Sequence, residues 1–314
     1  MMHGASMLLA VVLTTPVAGS APAATVQNVV ARFFPAALTL DSQNNSVPGE
    51  DRHSAFVVGD LNHDGSQYIC AVYWNNDSGA ISVLSPAGDG SVVASILPRY
   101  MGGVEGEVEL LDLDHDGRPE IVVTISRSRG LPGTWIFKWT GTALRLIGPI
   151  HRGGDAYDSD LADATFLDVD GDGTVALVDH HVGGRICDDC DDYEQFSLFR
   201  MQNGDLKLSG RLDSFLQFTR GTGAPTARTA TFTVAVNPSA ARQLIVVNGE
   251  RDGSARVSSA QIVLNGQPVV GPSNFNQKVG VIHLPVALSE NNTLTVTLDG
   301  KPGGTVTLLL LPTP

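Results

Sequence analysis

Aspartates recur at alternate positions in three short stretches. These are Asp60-Leu-Asn62-His-Asp64-Gly65, Asp112-Leu-Asp114-His-Asp116-Gly117 and Asp168-Val-Asp170-Gly-Asp172-Gly173. Oxygens at positions one, three and five of such a loop can be turned onto one hard cation, and calcium takes about six to eight oxygens. Glycine at position six permits the sharp turn, because it takes positive φ at no steric cost. Ser66, Arg118 and Thr174 would give their carbonyls at position seven. A carboxylate stands at position nine only once, as Glu120; Tyr68 and Ala176 occupy that place in the other loops.

The candidate Ca2+ ligands are therefore Asp60, Asn62, Asp64 and Ser66 in the first loop, and Asp112, Asp114, Asp116, Arg118 and Glu120 in the second. The third offers Asp168, Asp170, Asp172 and Thr174. The second set is the fullest and is expected to bind most tightly. The first, with Asn62 at position three, is expected to bind most weakly. Crowded carboxylates repel one another unless a cation joins them, so three loops in register argue for metal over a metal-free Asp-Gly turn. An EF-hand or dockerin-type loop is the rival for the third unit, where Asp179 stands at position twelve. It needs flanking helices, yet 164–167 and 175–178 read as strand.

The elements that position these loops repeat with them. The first aspartate moves from 60 to 112 to 168, steps of 52 and 56 residues. An apolar strand enters each loop and another leaves it. Further strands are expected at Ala80–Leu84, Val92–Leu97, Thr134–Trp139 and Ala143–Ile147. Four short strands in about 50 residues is the size of one propeller blade. The run Asp112-x-Asp114-x-Asp116-Gly117-x-x-Glu120-Ile121 resembles the loop of FG-GAP and VCBS repeats, the units of integrin-α-like propellers. The resemblance covers residues 54–212. It implies blades in which the loop joins two strands and holds calcium, although the Phe-Gly and Gly-Ala-Pro elements of that family are not recognisable at their expected places. Three units are fewer than the seven blades such a propeller usually has. Val26–Leu40 and Leu206–Phe218 are candidates for partial blades.

Past Leu212 the pattern changes. Residues 219–228, with Gly221-Thr-Gly223-Ala-Pro225, read as a linker. Alternation then predicts strands at Thr231–Val236, Gln243–Val247, Val257–Leu264, Lys278–Leu284, Thr293–Leu298 and Thr305–Leu311. Asn248-Gly249, Asn265-Gly266 and Asp299-Gly300 read as hairpin turns. Six or seven strands in about 90 residues fit an immunoglobulin-like β-sandwich. This part resembles a β-sandwich module common in secreted bacterial proteins. The expected fold is all-β: a propeller-like repeat region over 25–218, complete or partial, and a sandwich over 229–314.

Residues 1–24 carry no Lys, Arg, Asp or Glu; they hold an apolar run at Met7–Val12 and small residues at Ala18–Ala24. That is a signal-peptide layout, too short in its apolar run to span a bilayer. Secretion, or a periplasmic or cell-surface location, is expected. A net charge of -13 argues against nucleic acid and anionic membrane as partners. Cys187 and Cys190 read as a local disulfide, and Cys70 as a buried thiol. Two stripes have both a functional and a plain reading. Glu105, Glu107 and Glu109 line a channel or form a solvated face. Trp135, Phe137 and Trp139 stack on sugars or fill a core.

No catalytic constellation stands out. The leading expectation is a non-enzymatic binding or adhesion protein with structural Ca2+ and an extracellular protein or glycan ligand. The alternative is an enzyme or accessory protein acting on extracellular polysaccharide.

Overall fold

The computed structural model describes residues 53–75, 79–85, 92–96, 101–127, 131–150, 159–183, 193–234 and 241–313. The leader, the Val26–Leu40 stretch and the Cys187–Cys190 pair lie outside the described residues. What is described is all-β.

Three four-stranded meanders come first. One holds β1 (His53–Gly59), β2 (Tyr68–Trp74), β3 (Gly79–Leu84) and β4 (Val92–Ile96). The next holds β5 (Glu105–Leu111), β6 (Glu120–Ser126), β7 (Gly133–Trp139) and β8 (Leu144–Ile147), with β9 (Leu161–Ala162) added against β7. The third holds β10 (Thr165–Leu167), β11 (Ala176–Gly183), β12 (Tyr193–Gln202) and β13 (Asp205–Leu212). In each, sheet order follows chain order and every pairing is antiparallel. The acidic loop joins the first strand to the second.

The meanders stack face to face, and the two-residue period of a strand divides their side chains between neighbours. Ile121, Val123 and Ile125 share a core with Cys70, Val72 and Trp74 of the first meander. The residues between and beside them turn the other way: Val122 and Ile136 meet Leu177 and Phe199 of the third. Trp135, Phe137 and Trp139 are all buried in the first of these cores, so the aromatic stripe is packing and not a sugar platform.

Eight strands follow: β14 (Ser214–Thr219), β15 (Ala227–Thr233), β16 (Arg242–Asn248), β17 (Ser259–Leu264), β18 (Gln267–Val270), β19 (Val281–Val286), β20 (Asn291–Asp299) and β21 (Thr305–Pro312). They form two sheets, ordered β14-β21-β16-β19 and β15-β20-β17-β18. The two share one core, in which Leu244, Val246, Leu308 and Leu310 meet Ile262, Leu294, Val296 and Leu298. The first sheet is covered on its other face as well. There Ile245, Val247 and Leu309 pack on Val178 and Leu198 of the third meander. Burial on both faces is why β16 and β21 read as unbroken apolar runs.

Three expectations change. Ser214–Thr219 pairs with β21 and belongs to the sandwich, not to the repeats or a linker. Strand β15 begins inside the expected linker. Asn248-Gly249 and Asp299-Gly300 lead into the opposite sheet and make no hairpin, whereas Asn265-Gly266 joins β17 to β18 with φ of 50° and 78°. Among the described residues no sheet closes into a barrel, and the meanders do not close into a propeller. No described helix is long and apolar enough to cross a membrane.

Candidate metal centre

The three acidic loops share one internal hydrogen-bond plan. The carboxylate at position one takes the backbone N–H of position six: Asp60 from Gly65 at 2.6 Å, Asp112 from Gly117 at 2.8 Å and Asp168 from Gly173 at 3.1 Å. The carboxylate at position five takes the N–H of position seven. Ser66 donates to Asp64, Arg118 to Asp116 and Thr174 to Asp172, at 2.8, 2.8 and 2.9 Å. Donors on Ser66 and Thr174 hold Asp64 and Asp172 below the usual carboxylate range. Two aspartates per loop thus have a structural duty before any ion is considered. Position four is left-handed, with φ of 57° at His63, 58° at His115 and 75° at Gly171.

The loops also nest along one edge of the stack. The His63 ring lies over Gly117, and the His115 ring over Gly173; a Cβ added at either glycine would meet it at 3.1 to 3.2 Å. Val175 donates its N–H to the Leu113 carbonyl at 3.0 Å, tying the third loop to the second. The His283 ring nitrogen Nε2 meets the Val169 carbonyl at 2.7 Å, which ties the sandwich to the third loop.

Position three separates the loops. In the second, oxygens of Asp112, Asp114 and Asp116 lie within 4.8 Å of one another. Asp114 Oδ1 is buried and has no hydrogen-bond partner. An orphaned oxygen on a carboxylate clustered with two others fits the demand of a hard divalent cation. Asp112, Asp114 and Asp116 are the residues that would hold calcium, with the Arg118 carbonyl at position seven. Glu120 is fully buried and already engaged: Oε2 takes the Leu113 N–H at 3.0 Å, and Oε1 takes Lys138 Nζ at 2.9 Å. Burial holds its carboxyl above the ordinary value, against the pull of Lys138 and the Leu113 N–H. Lys138 also donates to Asp114 Oδ2 at 3.1 Å and lies 3.5 Å from Asp116 Oδ2. Burial opposes its charge, but Glu120 and Asp114 outweigh burial and raise its pKa.

In the third loop both oxygens of Asp170 are taken by Arg200, at 3.0 and 3.1 Å. In the first, Asn62 donates to the Tyr68 hydroxyl at 2.8 Å and accepts from Trp139 Nε1 at 3.1 Å. The sequence pattern does not reveal Lys138, Arg200 or Trp139. They come from other strands, and Lys138 and Arg200 lie 24 and 30 residues from the position-three residue they meet.

Strands β10 and β11 flank the third loop, so the EF-hand alternative fails. Asp179 instead accepts the Ala162 N–H at 2.7 Å. Burial raises its pKa to about 6, opposed by that N–H. Glu105 and Glu107 are exposed on the edge strand β5, and Glu109 accepts from Arg251 of the sandwich at 2.7 Å. Cys70 is buried, and burial pushes its thiol pKa upward.

No protein-family model and no curated protein matches the chain. Among solved structures it is similar to the M60 catalytic domain with the CBM51-1 and CBM51-2 domains of ZmpB from Clostridium perfringens. That match has 9% identity and a TM-score of 0.23, over 80% of this chain and 26% of that one. A GH31 alpha-xylosidase from Xanthomonas citri matches at 8% identity and a TM-score of 0.17, over 82% of this chain and 38% of that one. The chain spans well under half of either, and likeness at this level carries no argument about fold or chemistry.

Proposed function

We propose that the chain is an exported binding or adhesion protein whose repeat region holds calcium in a structural role. The carrying observation is the second loop, where three aspartates converge and the buried Asp114 Oδ1 has no partner. Calcium there would neutralise the loop and brace the turn between β5 and β6. The meanders are read as blades of FG-GAP/VCBS type in an incomplete array, and the two C-terminal sheets as an immunoglobulin-like sandwich. Face-to-face stacking of four-stranded meanders supports the first reading; a shared core between two antiparallel sheets supports the second. The ligand is an extracellular protein or glycan.

Calcium titration by calorimetry, with chelator-treated protein, tests the metal. A single bound ion that is lost in Asp112→Asn supports the proposal; no heat and no calcium in elemental analysis sinks it. An array of glycans and extracellular proteins tests the role. Binding without turnover supports it, and release of cleaved glycan overturns it.

A further inference from the structure

Lys138 and Arg200 occupy equivalent places. Phe137 pairs with Ile121 and Phe199 with Leu177, and each basic residue is the next one along. In the first meander Leu84 pairs with Ile69, and the next residue is Ser85. The charge on the third strand therefore follows the charge at loop position three. Neutral Asn62 goes with Ser85, Asp114 with Lys138, and Asp170 with Arg200. A charged group held this close needs a partner of opposite sign, and these strands supply one.

The match answers the repulsion problem without metal. At the third loop Arg200 grips both oxygens of Asp170. At the second loop Lys138 bridges the buried Glu120 and Asp114, and Asp114 is one of the carboxylates that would hold a calcium ion. The ammonium and the ion then draw on the same negative charge.

We propose that Lys138 is a built-in counter-cation of the second loop, holding Asp114 and Glu120 in the metal-free protein and setting how tightly that loop takes a divalent cation. This rests on the reading of the second loop as a calcium site. Lys138 is a positioning and affinity-setting residue, not a ligand. Its removal lowers the melting temperature in chelator and raises calcium affinity, two effects that a merely structural residue would not couple.

The test is calorimetric titration with calcium chloride, plus melting in chelator and in calcium. The proteins are the wild type, Lys138→Met, and Lys138→Gln, which keeps a hydrogen-bond donor and so protects folding. Lys207→Met removes a charge from an exposed pair with Asp205 on β13 and serves as the net-charge control. Calcium affinity is expected to rise about tenfold or more in both Lys138 variants, since ligand charge tunes such sites. Calcium should also restore the melting temperature that they lose in chelator, and Lys207→Met should do neither.

A gain in the variants with no binding by the wild type keeps this proposal and removes structural calcium from the native protein. Equal calcium affinity in wild type and variants overturns this proposal and leaves the calcium reading standing. Absence of binding in all of them overturns both. A gain in Lys207→Met equal to that in Lys138→Met also overturns it.

Discussion

The meanders and the sandwich are both antiparallel, but they are wired differently. In the meanders each strand lies beside the next one in the chain. In the sandwich only β17 and β18 do so; β14 finds β21, and β15 finds β20. Short turns settle the first arrangement, while the second waits for segments far apart in sequence to meet. The two regions nevertheless share a core, through the sheet buried on both faces.

The largest effect that would sharpen this contrast is expected inside the meander stack. Trp135→Ala should cost about 3–5 kcal/mol, because the ring is fully enclosed between two sheets. Urea unfolding followed by circular dichroism measures it. A loss below about 1 kcal/mol would break the picture of a close-packed core between meanders. The next effect lies at the joint. Asp213, between β13 and β14, accepts from the buried guanidinium of Arg242 on β16. Asp213→Ala removes that carboxylate and should cost about 3 kcal/mol. Arg242→Leu in the same background should recover much of it, and no recovery would mean the pair is not what holds the joint.

A smaller effect separates a nested loop from a free turn. Gly117 has φ of 84° and the His63 ring above it; Gly204, in the β12–β13 turn, has φ of 72° and open space. Gly117→Ala should cost about 1–2 kcal/mol and Gly204→Ala about 1 kcal/mol, the latter from the left-handed backbone alone. His63→Ala should erase the difference if nesting causes it. Equal costs in the presence of His63 would count against nesting.

The smallest effect is electrostatic. Asp179 has a folded pKa of about 6, above its ordinary value of 3.8. The folded chain therefore binds this proton more tightly than the unfolded one. Its contribution to stability is full below the unfolded pKa and is lost as pH rises through about 6. Asp179→Asn should be more stable than the wild type at pH 7 by up to about 1 kcal/mol, and equal to it near pH 4. Thermal melts across that range check the sign, and a variant less stable at pH 7 would show that the carboxylate is needed charged.

Much of the repeat region was legible in the sequence. Strand positions such as Ala80–Leu84 and Thr134–Trp139 fall within a residue of β3 and β7, because alternation and nearby turns are local signals. The glycine at position six was legible too, since the turn there needs positive φ, and Gly65, Gly117 and Gly173 all take it. The sandwich was read less well. Asn248-Gly249 carries the mark of a hairpin, but whether a turn returns to its own sheet depends on which strand lies alongside. Ser214–Thr219 likewise has no local sign that its partner is Thr305–Leu310.

The sequence by itself determined the all-β class of the described residues and the three acidic turns of similar pattern, because those patterns are written within a few residues. The tertiary structure decided what each acidic turn faces. Asn62 meets Tyr68 and Trp139, Asp114 meets Lys138, and Asp170 meets Arg200. Strand register brings in Lys138 and Arg200, and the stacking of the second meander on the first brings in Trp139. Three loops of similar sequence therefore differ in the charge left over for a cation.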